Sequence, residues 1–502
     1  MSNKKIAIAI SYINLLVGMV VNIYITPLLI AALGDVDYSL YKVMHSLAGP
    51  LTMFHLGVST VVTRSVVKNK EGNIREKQNT MALALLASGV MSLLVMIAGA
   101  VLYMAIPAMY GQTYSVVSIR QGQKMFVMFI AASVLHMLTD AFSGCVVGHE
   151  RYVVSSAIPL AKNLGKCILL IGLAKTGMGV LFVVGVDLFL AAVTFLFTMV
   201  YAVFGLHEIP KLYYVDKTQL TEIVTFGLAI LLQAFVNQVN NNMDTMILGA
   251  FIAEKAVITM YSSALAVYAI YNSLVSVITH YFLPQATELT VNHASGKEMT
   301  DFIVKPGRFQ AVVALACIFG FALFGRNFIR IWIGERYLDA YGVILTLMIP
   351  VTIPLVENAV ISILDATMKR MYRSVVLVVM AVLNLAISVT LVQNVGFWGA
   401  AIGTAASLLI GHGVLMNLYY AKEFNIEVFR MFKEIFKGIL PAGLVAAVVC
   451  LPIAILLPDT LLWFVLKCSS FVLAYAVFLL AFGFNQGEKV MLRTLVRKAR
   501  HK

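Results

Sequence analysis

The chain has 502 residues, 61% of them hydrophobic and 12% charged, with a mean hydropathy of +0.90. A soluble domain is roughly 45–50% apolar and about 25% charged, so this composition excludes a soluble enzyme, a disordered chain and a disulfide-stapled secreted module. The formal charge of +13, from 37 Lys+Arg against 24 Asp+Glu, fits a polytopic membrane protein with excess Lys and Arg on its cytoplasmic side.

The N-terminal Met1-Ser2-Asn3-Lys4-Lys5 is a short basic stub ahead of an apolar run that continues to about Leu33. That run is too long for a signal-peptide core and ends in no small-residue cleavage site, so it reads as a first membrane span. In chain order the apolar segments lie at 6–32, 38–63, 80–106, 122–147, 152–174, 178–204, 220–251, 256–284, 304–325, 342–367, 374–394, 397–420, 436–457 and 460–483. Each approaches the ~20 residues that a helix needs to cross a bilayer. The expected fold is therefore all-α and polytopic, with about 14 transmembrane helices. The narrowest separations are Lys175–Gly179 and Pro458-Asp459. Cys145, Cys167, Cys317, Cys450 and Cys468 all sit in apolar stretches, form no C-x-x-C pair and read as small core residues.

Charge tests this topology. With the N-terminus inside, 26 Lys and Arg fall on cytoplasmic segments and 7 on outer ones; Lys42, Lys162, Lys166 and Lys467 fall within spans. The bias predicts an even number of helices, both termini cytoplasmic, in the cell (cytoplasmic) membrane. The basic tail 485–502 is expected to rest on anionic headgroups of membrane lipids. No loop exceeds about twenty residues and no Walker A motif is present. Nucleic-acid binding, ATP hydrolysis, a cofactor and an enzyme active site are accordingly not expected. A faint echo at an offset of six helices pairs Leu173–Val180 with Val392–Ala400, and Leu33-Gly34 with Leu248-Gly249. It suggests an N-lobe at 1–204, a linker at 205–219, a C-lobe at 220–421, two further helices in 422–484 and the tail.

Ionisable and amide side chains within spans are costly and point to function. Lys162 and Lys166, four residues apart with Asn163 between them, share a face of the fifth span. Two cations there need water, an anionic ligand or an acidic partner, with Asp187 and Asp140 the available acids. In the seventh span Gln233, Asn237, Asn240, Asn241 and Asp244 follow helical spacing and form a polar stripe suited either to sugar hydroxyls or to interhelical hydrogen bonds. Asn14 in the first span and Tyr271 in the eighth are further cavity candidates. Glu357 in the tenth span suits proton coupling or an ion pair with the basic residues nearby. His45, His136 and His412 show no ligand spacing and read as core histidines.

Several of these segments resemble a known family. Leu33-Gly34 with Tyr38-Ser-Leu-Tyr41, then Leu56-Gly57-Val-Ser-Thr-Val-Val-Thr63-Arg64, resembles the start of polysaccharide flippases. Gly144-Cys-Val-Val-Gly148-His-Glu-Arg151, Asp244-Thr-Met-Ile-Leu-Gly249, Ile331-Trp-Ile-Gly334 and Gly396-Phe-Trp-Gly-Ala-Ala-Ile-Gly-Thr404 continue the likeness in order over about 30–420. The family is that of the Wzx-type lipid-linked oligosaccharide flippases, relatives of the lipid II flippases and MATE exporters. The resemblance implies alternating-access flipping of an isoprenoid-diphosphate-linked oligosaccharide for surface polysaccharide synthesis, with polymerases or ligases as possible partners. It would place the diphosphate at Lys162 and Lys166. It also implies Na⁺ or H⁺ coupling: Asp244, Asn384 and Thr404 stand where lipid II flippases hold Na⁺, although Ser388 replaces a second acid. The alternative is a MATE-like ion-coupled exporter of small organic cations, for which an acidic cavity would be expected.

Overall fold

The computed structural model describes residues 3–52, 58–68, 74–174, 177, 179–214, 236–276, 283–292, 294–367 and 369–490. Every element among the described residues is a helix. Eleven of these helices are long and apolar enough to cross a membrane, and Ala340–Val356 is a shorter apolar one. The chain is thus an all-α multi-pass membrane protein.

The expected segments meet the helices with instructive differences. The first two spans join in α1 (Asn3–Thr52), whose 50 residues are helical except at Gly34 (φ 69°, ψ 174°). At ~1.5 Å per residue such a helix is more than twice as long as a ~30 Å hydrocarbon core is thick. A left-handed φ tolerated by glycine divides it into two legs. Of the seventh expected span only 236–251 is described, as α7. The tenth divides into α11 (Ala340–Val356) and α12 (Val360–Ala366), with Glu357 capping the first.

The chain forms two compact units, Met1–Ser262 with Val389–Ala400, and Ser263–Ser388 with Ala401–Lys502. The first holds α1, α2 (Val58–Lys68), α3 (Ile74–Tyr110), α4 (Val116–Gly148), α5 (Tyr152–Ala174), α6 (Val180–Val200) and α7. In it α1 packs along α5 and α4, while α4 also meets α2, α3 and α6. Small residues permit the close α2–α4 crossing: a Cβ on Gly144 would lie 2.5 Å from the Ser59 carbonyl oxygen, and one on Gly148 2.7 Å from Val66 Cβ. Val58, Val62, Ala141 and Cys145 fill the core beside it.

The helix α8 (Lys255–Ser276) begins in the first unit and continues in the second. There follow α9 (Leu283–Val291), α10 (Gly296–Trp332), α11, α12, α13 (Arg370–Val395), α14 (Trp398–Leu408), a wide turn Leu409–Met416 leading into α15 (Asn417–Phe424), α16 (Val428–Phe436), α17 (Ile439–Leu456) and α18 (Leu461–Phe478). Ser295 and Glu298 form a capping box that starts α10. Arg308 on that helix is buried, yet all its donors are used: it bonds Glu488 and the carbonyl oxygens of Glu434, Lys437 and Gly483. Helices α17 and α18 part at Pro458-Asp459, as the sequence implies.

Candidate functional site: a cationic cluster on α5

In the first unit α5 distributes three polar side chains to three neighbouring helices. Lys162 Nζ lies 3.1 Å from His136 Nε2 on α4. Asn163 Nδ2 donates to Asn14 Oδ1 on α1 at 2.9 Å. Lys166 Nζ reaches Asp187 Oδ1 on α6 at 2.7 Å. Gly18, one turn after Asn14, leaves room for the Asn163 amide, whose nitrogen would lie 3.7 Å from a Cβ there. Of the two acids available to the lysines, Asp187 is the one paired; neither lysine pairs with Asp140 among the described residues.

Further groups of α1 complete the cluster. Lys42, His45 and Tyr41 lie close enough to Lys166 to act on it electrostatically, as does Lys162. The ammonium of Lys42 sits 5.3 Å and 5.7 Å from the ring centres of Tyr38 and Tyr41, a distance at which a ring face attracts a cation. His45 is exposed and packs edge-on to Phe129 at 5.4 Å. The Lys166 and Asp187 side chains are 28% and 20% accessible, so the pair is open to a ligand. Lys162 and Lys42 thus add positive charge beside the Lys166–Asp187 pair. Among the described residues Asp187 is the one acid paired in the cluster, and the Lys166–Asp187 pair reaches solvent-accessible space.

The α7 stripe sorts into two sides. Gln238 and Asn242 face Gly49 on α1, where a Cβ would lie 3.0–3.1 Å from their amide nitrogens; they serve helix packing. Asn237 and Asn240 are half-buried and Asn241 is exposed. Gln233 lies outside the described residues. Asp244 is buried at the far end of the stripe and accepts from the Tyr261 hydroxyl at 2.6 Å.

The remaining candidates belong to the second unit. Asn384, Ser388 and Thr404 come together: Ser388 Oγ donates to Asn384 Oδ1 at 2.7 Å, and Asn384 Nδ2 to Thr404 Oγ1 at 3.0 Å. The trio is neutral, and a cation at it would compete with Ser388 for the Asn384 oxygen. Tyr271 is buried with its hydroxyl 2.7 Å from Thr352 Oγ1, and lines an apolar hollow of about 300 Å³ with Cys317, Phe324 and Phe471. Glu357 is buried, and neither carboxyl oxygen has a hydrogen-bond partner among the described residues. It faces Asn417 and the charge of Arg373.

Comparison with known proteins follows the same line. Residues 149–342, which hold Lys162, Asn163, Lys166 and Asp187, match the family model described as a polysaccharide biosynthesis protein. No curated protein matches the chain. A lipid II flippase MurJ, in an inward closed conformation, superposes with a TM-score of 0.74 over 97% of this chain and 99% of its own, at 13% identity. The chain shares the fold of that protein. An inward-facing multidrug resistance MATE transporter of the MOP superfamily gives 0.67 over 85% of this chain and 98% of its own, at 11% identity. A MOP-superfamily transporter from Pyrococcus furiosus, described as having a binding pocket of reverse polarity, gives 0.50 over 86% and 97%, at 13% identity. The likeness drawn from the ordered motifs is thereby borne out for the fold and, over residues 149–342, by the polysaccharide biosynthesis family model.

Sequence reasoning found Lys162, Asn163, Lys166 and Asn14 and named Asp187 as one partner. It did not find His45 and His136. Their positions on α1 and α4 bear no fixed spacing to α5, and only helix packing brings them to the lysines.

Proposed function

We propose that this membrane flippase moves an isoprenoid-diphosphate-linked oligosaccharide from the inner to the outer leaflet of the cytoplasmic membrane by alternating access. The termini are cytoplasmic in this reading, following the 26-to-7 charge split. The observation that carries it is the surplus of positive charge at the Lys166–Asp187 pair, with Lys162 and Lys42 both close to Lys166 and Asp187 the one acid paired there among the described residues. A diphosphate supplies the missing negative charge, and charge-assisted hydrogen bonds from lysine are among the strong ones. The amides of Asn14, Asn163, Asn237, Asn240 and Asn241 offer the paired donors and acceptors that sugar hydroxyls need. The match to a polysaccharide biosynthesis family agrees with such a cargo. An organic cation would be repelled by the same lysines, which weighs against the exporter alternative.

No bond is made or broken, so the residues bind, orient and release. A polymerase or ligase on the far side is the partner class implied. For the driving ion we favour a proton at Glu357, whose buried carboxyl faces Asn417 and the charge of Arg373. The Asn384–Ser388–Thr404 trio offers Na⁺ only neutral oxygens, where hard cations want compensating charge.

The test is flipping of a fluorescent polyprenyl-diphosphate sugar in proteoliposomes. Wild-type protein moves it, and soluble short-chain polyprenyl diphosphate competes. The Lys162→Ala/Lys166→Ala variant, inserted at equal level, loses the movement and the competition. An unimpaired variant, or a wild-type protein that moves organic cations instead, overturns the reading.

A further inference from the structure

Arg120 and Lys124 belong to the minority of basic residues that the charge pattern leaves off the cytoplasmic side. Both are exposed, and neither pairs with an acid among the described residues. They stand near the start of α4, which returns antiparallel to α3 after the short turn 111–115. Beyond them the two helices leave an apolar groove of about 630 Å³. Met96, Tyr103 and Met104 on α3 and Val127, Ala131 and Val134 on α4 line it. Gly99 forms its floor, where a Cβ would lie 3.2 Å from Ile130. At the turn end Gln123 Nε2 donates to the Tyr103 carbonyl at 3.2 Å and ties the helices together.

The cations and the groove lie on one face. Arg120, Lys124, Val127, Ala131 and Val134 follow each other at spacings of four, three, four and three, the row of a single helix face. The stretch Met96–Met104 rises about 12 Å at ~1.5 Å per residue, somewhat less than half of a ~30 Å hydrocarbon core. The groove therefore has the depth of one leaflet, an apolar lining below and two unpaired cations above.

We propose that this groove is a site for an anionic phospholipid of the phosphatidylglycerol class. One acyl chain lies between α3 and α4, and the phosphate meets Arg120 and Lys124. Charge complementarity selects this occupant: a zwitterionic lipid would fill the groove equally but leave the two cations without a net counter-charge. The proposal is independent of what the α5 cluster binds.

Purified full-length protein, exchanged into detergent with equimolar dioleoyl phosphatidylglycerol and phosphatidylcholine, is examined by native mass spectrometry. A basic residue near a membrane surface attracts anionic lipid by about 1 kcal/mol, so two give a preference of roughly ten- to thirtyfold. The Arg120→Gln/Lys124→Gln variant keeps lipid in the groove but loses this part of the preference. Ala131→Phe, which fills the groove, lowers retention of both lipids. Each single Gln variant reports a partial loss should the double variant fold poorly. Equal retention of the two lipids by wild type, or a preference unchanged in the Gln variants, overturns the proposal. Self-association that increases as lipid is stripped and disappears in Ala131→Phe assigns the groove to a second copy and also overturns it.

Discussion

Lys166 on α5 and Lys467 on α18 are both lysines in the middle of apolar helices, and their surroundings are opposite. Lys467 is fully buried. Its ammonium meets Asp459 Oδ1 at 3.0 Å and the Ala454 carbonyl at 3.3 Å. Asp459 also accepts from Arg330, which reaches Glu335 in turn. Two cations and two acids balance at the α17–α18 turn, where the Lys467 ammonium is shut away from solvent while Asp459 and Arg330 remain 40% accessible. Around Lys166 the further lysines Lys162 and Lys42 leave positive charge in surplus over Asp187, the one acid paired there among the described residues, and Lys166 itself is 28% accessible where Lys467 is wholly buried. An embedded charge balanced by its neighbours is expected to hold structure; one left in surplus is a candidate ligand site.

The largest effect that tests this contrast is on substrate. Lys162→Ala/Lys166→Ala removes two charge-assisted contacts worth about 1.5–3 kcal/mol each, so affinity for a polyprenyl diphosphate falls by at least about a hundredfold. Lys467→Met leaves that affinity unchanged. Isothermal titration or competition binding measures both, and equal losses in the two variants would break the comparison.

Next comes stability. Asp459→Asn leaves a fully buried ammonium facing a neutral amide; because Asp459 is itself partly solvated and the Ala454 carbonyl remains, the cost is roughly 2–3 kcal/mol, below that of a wholly buried pair. Thermal unfolding in detergent should show a clear drop, restored when Lys467→Met is added. In the α5 cluster Asp187→Asn costs less, about 1–2 kcal/mol, because the pair is partly solvated. The same substitution raises the charge surplus and so tightens anionic ligand binding. A variant that loses both stability and affinity would show Asp187 to be part of the ligand site itself.

Much of this contrast was legible before the fold was known. The apolar periodicity marked the helices, and the charge split isolated Lys42, Lys162, Lys166 and Lys467 as the embedded cations. Spacing along α5 placed Lys162 and Lys166 on one face. What the chain does not show is where their heads go: Lys162 to His136 on α4, Lys166 to Asp187 on α6. Four-residue spacing fixes the face but not the neighbour, which depends on how α1, α4 and α6 pack. The amide run of α7 was equally ambiguous. Gln238 and Asn242 differ from Asn237 and Asn241 by a rotation that only the contact with Gly49 reveals. The join of two spans in α1 escaped because Gly34-Asp35-Val36-Asp37 has the composition of a loop, whereas the helix resumes directly after Gly34.

The smallest expected effect concerns pH. Burial pushes the Asp459 carboxyl up, but hydrogen bonds from Lys467 and Asn327, with the charges of Lys467 and Arg330, outweigh it and hold the group below its usual 3.8. A carboxyl lowered in the folded state contributes its stability at every pH above the unfolded value, and loses it as pH falls through the folded one. The α17–α18 turn is therefore indifferent to pH between about 5 and 8, and weakens only in strong acid. Thermal unfolding of wild type minus that of Asp459→Asn should stay flat over the first range and shrink below about pH 4. A difference that already changes near neutrality would mean that the network is not balanced, and Lys467 would then have to be counted with the lysines of α5.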